Sequence, residues 1–232
     1  ETWIVGDHDD TYHGYRLLMH GGVPSNNGGR NKGGVGVMLN PAAAEAFVNG
    51  GCDVRHFGNR LMAVVLKWQD GRGHDVKQVV AAGYAPTSAA PAAERGAFLD
   101  NLGDCETDFG QDHELYISVD ANAAMGTRSD SIDRVLGPHG VDHTNTAGSD
   151  LHSKLAMHGL CAVATFFEKP QYGTWFSIRN GKPFQIDHWL VRRQDLRRVT
   201  DCGLAGPAVA SDHPRPLRLK SKVAWALARP RP

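Results

Sequence analysis

Apolar and β-branched residues recur along the chain in short runs set between glycine-rich breaks. The runs are Gly34 to Leu39 (GVGVML), Leu61 to Trp68 (LMAVVLKW), Val76 to Tyr84 (VKQVVAAGY), Leu115 to Val119, Cys161 to Phe167, Trp175 to Ile178, Ile186 to Val191 and Leu217 to Leu219. Such runs predict strands. Asp70-Gly71 suits a hairpin turn between the second and third of them, and Asn180-Gly181 suits another inside RNGKPFQIDHWLV. Helical spacing appears over Pro91 to Leu102, with Pro near its start, and over Ser149 to His158, which stops before Gly159. Many strands in hairpins with helices between them predict a layered α/β architecture with mainly antiparallel or mixed sheets. No internal repeat and no linker splits the chain, and SNNGGRNKGG (residues 25–34) is expected to be a surface loop.

Composition narrows the picture without changing it. A chain of 232 residues, 41% hydrophobic and 22% charged, can bury the core of one large domain. No apolar run approaches the roughly 18 residues a spanning helix needs, and no secretory segment is visible. Cys52, Cys105, Cys161 and Cys202 lie far apart with no CxxC pair, which predicts scattered thiols and an intracellular, reducing compartment, the nucleus included. Net charge is zero, with 25 basic and 25 acidic residues, which speaks against a strong nonspecific polyanion binder. The charges are unevenly placed. After Asp212 the chain holds Arg215, Arg218, Lys220, Lys222, Arg229 and Arg231 with no acid, whereas Asp100 to Glu114 is acid-rich.

Polar residues next to strands are the candidates for chemistry. In LYISVDANAAMG (residues 115–126) an apolar strand runs out directly into Asp120 and Asn122. Asp and Asn make turns well, so a turn is one reading, and a substrate site at a sheet edge is the other. Tyr84 ends a strand, Asp187 lies in QIDHWLV, and Ser211, Asp212 and His213 form SDHP. Taken one by one, a satisfied buried phenol, a satisfied buried acid and a turn account for them.

Taken in order, the motifs resemble the endonuclease/exonuclease/phosphatase superfamily, the DNase I-like fold. The set is ETW, GGVGVML, AAGYAPTS, VDANAAMG, NTAGSDL, TFFEKPQYGTW, QIDHWLV and SDHPRP, and it covers nearly the whole chain. It is most similar to the apurinic-like endonuclease domain of LINE-type retrotransposons and their host-gene relatives. The resemblance implies a four-layer α/β sandwich of two mainly antiparallel or mixed sheets flanked by helices, as a single domain over 1–232. The family's first strand, with its metal-site Asn, precedes the glutamate at which this chain begins, so the domain is expected to be N-terminally incomplete. VDAN also replaces the family's GDxN, keeping its Asp and Asn.

The roles implied by the resemblance follow phosphodiester chemistry. Glu1 would ligate a divalent cation, Mg²⁺ or Mn²⁺, with Asp212 as a further metal-site carboxylate. Asp120 would orient or deprotonate the water, and Asn122 would hold that water or the phosphate. His213 would contact the phosphate with Asp187 fixing its tautomer, and Tyr84 would hydrogen-bond a phosphate oxygen. Trp175 would bind substrate, and Asn145 would either bind substrate or serve a structural role. The implied activity is Mg²⁺-dependent nicking of one DNA strand, with DNA as partner and a reverse transcriptase domain or a larger complex alongside. The alternatives are a non-catalytic subunit that keeps the fold, and a phosphoesterase acting on inositol phosphates or nucleotides.

Overall fold

The computed structural model describes residues 4–22, 24, 33–128, 130, 132–206 and 213–222. Along the chain run β1 (His8–Tyr12), β2 (Tyr15–His20), β3 (Val35–Leu39), α1 (Pro41–Asn49), β4 (Val54–His56), β5 (Leu61–Gln69), β6 (Asp75–Tyr84), α2 (Ala92–Asp108), β7 (His113–Asp120), α3 (Thr146–Met157), β8 (Leu160–Ala162), β9 (Trp175–Phe176), β10 (Pro183–Phe184), β11 (Asp187–Arg192), β12 (Val199–Leu204) and β13 (Leu217–Ser221). Several sheets flanked by helices make this a mixed α/β fold, as the strand and helix pattern predicts. The described residues group into two compact units. One takes the chain up to Tyr84 together with Asp104–Tyr116, and the other takes Ala85–Gly103 and the described part of Ile117–Lys222. Among the described residues no helix is long and apolar enough to cross a membrane.

In the first unit β1, β2 and β3 pair antiparallel, and β4, β5 and β6 form a second antiparallel set. The first half of β7 continues that set, with the Gln78 amide donating to the buried Glu114 carboxylate at 2.9 Å. Period-two alternation decides what is buried: Val35, Val37 and Leu39 point inward, whereas Met38 is exposed. They join Leu18, Phe47, Met62, Val64 and Leu66 in one apolar cluster. Helix α1, which no apolar periodicity announces, is set by its ends. The Asn40 side chain accepts from the Ala43 N–H at 2.9 Å, Pro41 opens the first turn, and Gly50 meets the Val65 carbonyl so closely that a Cβ would lie 2.6 Å away. The turn between β5 and β6 is wider than a two-residue Asp70-Gly71 hairpin. Asp70 Oδ1 accepts from the N–H groups of Arg72 and His74, and the left-handed position is Gly73 (φ 82°).

In the second unit the second half of β7 lies beside β11, which pairs antiparallel with β8. β9 with β10 and β12 with β13 form two-stranded pairs, the first around the Asn180-Gly181 turn, where Gly181 has φ 67°. The strand expected over Cys161 to Phe167 stops at Ala162 and becomes a 3-10 turn over Val163–Phe166. The Thr165 hydroxyl explains the break. It donates to the Ala162 carbonyl at 2.6 Å and accepts from the Gly137 N–H at 2.7 Å, drawing the backbone out of the ladder. Helix α3 starts earlier than expected, at Thr146, because Asn145 is its cap. Helix α2 runs six residues past Leu102 to Asp108 on a face that buries Phe98, Leu102 and Cys105. Cys161 and Cys202 are buried thiols whose pKa burial pushes up to about 12. Of the loop over residues 25–34, only Gly33 and Gly34 are among the described residues.

Candidate active site

Strand β7 brings Leu115, Ile117 and Val119 into the core and delivers Asp120 as its last residue. The next residues form a turn clamped from two sides. The Ala85 N–H donates to the Asp120 carbonyl and the Ala121 N–H to the Ile186 carbonyl, both at 2.8 Å. Asp120 Oδ1 accepts from the Asn122 N–H at 3.0 Å, and Asn122 sits in the left-handed region at φ 47°. This is an Asx-turn, and asparagine tolerates the left-handed conformation better than most residues. The turn reading of VDAN is therefore right as local structure, and it also aims the site. The Asn122 amide nitrogen donates to the Ala85 carbonyl at 2.9 Å, which fixes the orientation of that carboxamide.

The backbone that follows is closely approached by α3. A Cβ at Gly148, in the first turn of α3, would lie 1.8 Å from the Ala124 carbonyl oxygen. Asn145 ties the same contact together, its N–H donating to the Ala124 carbonyl at 3.0 Å and its Oδ1 capping α3 through the Gly148 N–H at 2.8 Å. Asn145 thus stands at the turn with its carboxamide engaged in holding a helix.

Asp187 opens β11, and its position is fixed from behind by a residue the sequence reading missed. The hydroxyl oxygen of buried Thr174 accepts from the N–H groups of Ile186 and Asp187, at 3.0 and 3.1 Å. Its only sequence signal is a threonine beside the expected Trp175 strand. Asp187 Oδ2 in turn accepts from His213 Nδ1 at 3.2 Å. Because a carboxylate only accepts, this contact places a proton on Nδ1 and turns Nε2 toward whatever binds.

Burial and the neighbouring negative charge of Asp187 push the Asp120 carboxyl up from 3.8 to about 6, against the opposing pull of the Asn122 N–H and of His213. Among the described residues, the carboxylates of Asp120 and Asp187 thus share one site with the His213 imidazole. His188, next along β11, is buried with both ring nitrogens outside hydrogen-bonding geometry, and burial pushes its pKa down to about 4, so it stays neutral.

The structure brings Asp120, Asn122, Asp187 and His213 together within the second unit. Trp175 packs its ring against Phe184 at 5.3 Å on the β9–β10 pair. Tyr84 belongs to the first unit, where it ends β6 and its ring lies 5.6 Å from the Arg60 guanidinium. Glu1 and Asp212 lie outside the described residues.

The chain adopts the DNase I-like fold. It superposes on the endonuclease domain of TRAS1, a telomere-specific non-LTR retrotransposon, with TM-score 0.57 and 17% identity over 91% of this chain and 82% of that one. It matches a 3′-5′ exonuclease from Neisseria meningitidis with TM-score 0.60 and 15% identity, covering 90% of this chain and 80% of that one. An AP endonuclease from Leishmania major gives TM-score 0.60 and 15% identity, covering 89% and 70%. No protein-family model matches the chain, and no curated protein matches it by sequence.

Proposed function

We propose that the chain hydrolyses phosphodiester bonds in DNA with a hard divalent cation, Mg²⁺ or Mn²⁺, as a nicking endonuclease of the retrotransposon type. The observation that carries this reading is the convergence of Asp120, Asp187 and His213 where β7 ends and β11 begins. The donor set suits such a cation: oxygen ligands, crowded negative charge, and a carboxyl pushed up to about 6 by burial and by the neighbouring Asp187. Asp187, with one oxygen on His213, would hold the ion through the other, and the ion supplies charge neutralisation at the phosphoryl oxygens.

The chain's own groups supply the rest. Asp120 spends one oxygen on the Asn122 N–H, and the other would take the proton of the attacking water. Asn122, its amide nitrogen fixed on Ala85, would hold that water or a phosphate oxygen through its carbonyl. His213, oriented by Asp187, would act as the imidazolium, keeping its Nδ1 proton in the hydrogen bond to Asp187 and donating from Nε2 to the phosphoryl group as charge builds there. The exposed Arg218 and Lys220 of β13 offer positive charge to a polyanion. The fold shared with an endonuclease, an exonuclease and an AP endonuclease supports the same chemistry.

The test is a substrate panel with purified protein: supercoiled plasmid, a duplex with an abasic site, and an oligonucleotide ending in a 3′-phosphate. Each is incubated with Mg²⁺, with Mn²⁺ and with chelator. Metal-dependent nicking of plasmid, lost in a folded Asp120→Asn variant, is the expected result. Processing confined to the abasic duplex or the 3′-phosphate redirects the specificity. A wild-type protein inert on every substrate would leave the non-catalytic alternative standing.

A further inference from the structure

In the first unit three side chains from separate segments meet with their ligand atoms within 4.8 Å of one another: Asp7 before β1, His20 at the end of β2 and His56 at the end of β4. His20 Nδ1 lies 2.6 Å from Asp7 Oδ1, and His56 Nδ1 lies 3.7 Å from Asp7 Oδ2. The two imidazoles stack at 3.9 Å with 15° between their planes, so both present the same edge to one carboxylate. The frame behind them is fixed. Gly22 donates its N–H to the Ile4 carbonyl at 2.8 Å, and Gly21 approaches Gly6 so closely that a Cβ would lie 2.2 Å from the Gly6 nitrogen. The segment carrying Asp7 is thereby fastened to the end of β2.

The second nitrogen of His20 decides what the cluster can hold. Nε2 lies 2.9 Å from the Gly58 carbonyl oxygen, an acceptor only, so the proton belongs on Nε2. The Nδ1 lone pair then faces a carboxylate oxygen, another acceptor. At 2.6 Å the contact holds a second proton on Nδ1, which an entering metal ion would replace. An imidazole held through its far nitrogen by a backbone carbonyl is the usual support for a metal-ligating histidine. The wider gap at His56 leaves room for an ion. Ligands at 2.0–2.1 Å from a tetrahedral centre are about 3.3 Å apart, so an entering ion would draw His56 in, widen the His20–Asp7 contact and turn the stacked rings until both lone pairs converge on it.

We propose that Asp7, His20 and His56 form a second metal site, selective for a borderline divalent ion such as Zn²⁺. Two imidazoles and one carboxylate favour zinc, whereas Mg²⁺ prefers all-oxygen sets. Asp7 is exposed, so the fourth position is open to water. The site clips three segments, the stretch before β1 and the ends of β2 and β4, into one unit. It stands independently of the phosphodiesterase reading, because its residues, its ligand class and its readout all differ.

The test uses the full chain, stripped with chelator and titrated calorimetrically with ZnCl₂ alone. The wild type is expected to bind one ion at this cluster and to melt at higher temperature with Zn²⁺ than without. His56→Gln and Asp7→Asn, each checked for folding by circular dichroism, should weaken that binding by about tenfold or more. His13→Gln, on the exposed turn between β1 and β2, should leave it unchanged. Co²⁺ in place of Zn²⁺ should give a four-coordinate visible spectrum that is missing in His56→Gln. No binding by the wild type, equal binding by the His56 and Asp7 variants, or displacement by modest Mg²⁺ would each overturn the proposal. The cluster would then be a plain ion pair between Asp7 and protonated His20.

Discussion

Asp187 and Asp7 each hold a histidine, at 3.2 and 2.6 Å, but their surroundings reverse the balance of charge. Beside Asp187 stands a second, half-buried carboxylate, and burial together with the charge of Asp187 drives the Asp120 carboxyl up to about 6. Around Asp7 two imidazoles compete for one exposed carboxylate, whose pKa is held below its ordinary value mainly by the hydrogen bond to His20. The same residue types thus give one half-buried cluster rich in carboxylate oxygens and another rich in nitrogen donors at the surface. The difference lies in which element ends carry the acids. A strand that runs out of the core delivers a half-buried carboxylate, whereas a loop before an exposed hairpin delivers one that stays charged.

The sharpest way to break this comparison is to ask which cluster carries out hydrolysis. With nicking established in the wild type, His213→Gln and Asp187→Asn should each lower the rate of Mg²⁺-dependent cleavage by about 10²–10⁴, the usual worth of a positioned acid or base. Asp7→Asn and His56→Gln should leave the rate near wild type when Mg²⁺ is in excess. Initial rates on supercoiled plasmid decide between them. If the Asp7 and His56 variants lose activity as severely as those of Asp187 and His213, the two clusters are not separate in function.

Stability gives a second contrast, because the two aspartates have opposite signs. Asp120 carries a folded pKa near 6 against 3.8 in the unfolded chain, so the folded state binds its proton more tightly. That contribution is fully present below 3.8 and is lost as pH rises through about 6. Asp120→Asn should therefore stabilise the metal-free protein at alkaline pH, by up to about 3 kcal/mol. The gain should disappear in acid. Urea unfolding in chelator on both sides of the transition measures it, and a destabilised variant at high pH would show that Asp120 is paired rather than strained. Such a gain at the expense of cleavage is the expected trade at a functional site.

Much of the second unit was legible because its signals are local. Strand β7 is an apolar run that ends in Asp120, and the order of VDAN, QIDHWLV and SDHP put Asp120, Asn122, Asp187 and His213 on one list. What stayed hidden was long-range. Sequence leaves Asn145 open to substrate binding or a structural role; its Oδ1 accepts from the Gly148 N–H, and only the close approach of α3 to Ala124 makes a cap necessary there. Thr174 gave no signal, since its hydroxyl matters through two amides that lie more than ten residues away. The hairpin of β1 and β2 was invisible for another reason. Every residue of β1 is exposed, so no alternation marks it, and the pair is made by the left-handed turn at His13 and Gly14. The Asp7, His20 and His56 cluster went unseen with it, because its ligands are spread over three segments with no motif spacing.

The smallest expected effect is at Asp7, and its sign makes it informative. A folded pKa below the ordinary value contributes stability that is present above the unfolded pKa and lost as pH falls. Asp7→Asn should therefore destabilise the metal-free protein at about pH 6 by only about 0.2–1 kcal/mol, because the pair is solvent-exposed and screened. The deficit should shrink in acid, opposite to the trend at Asp120. Added salt should narrow it further, as for any surface ion pair. Paired urea titrations at low and high ionic strength test this directly. A deficit that resists salt would mean that Asp7 acts through the backbone contacts of its loop rather than through charge. In that case the carboxylate would be held in place before any ion arrives, and Zn²⁺ affinity should fall less in Asp7→Asn than in His56→Gln.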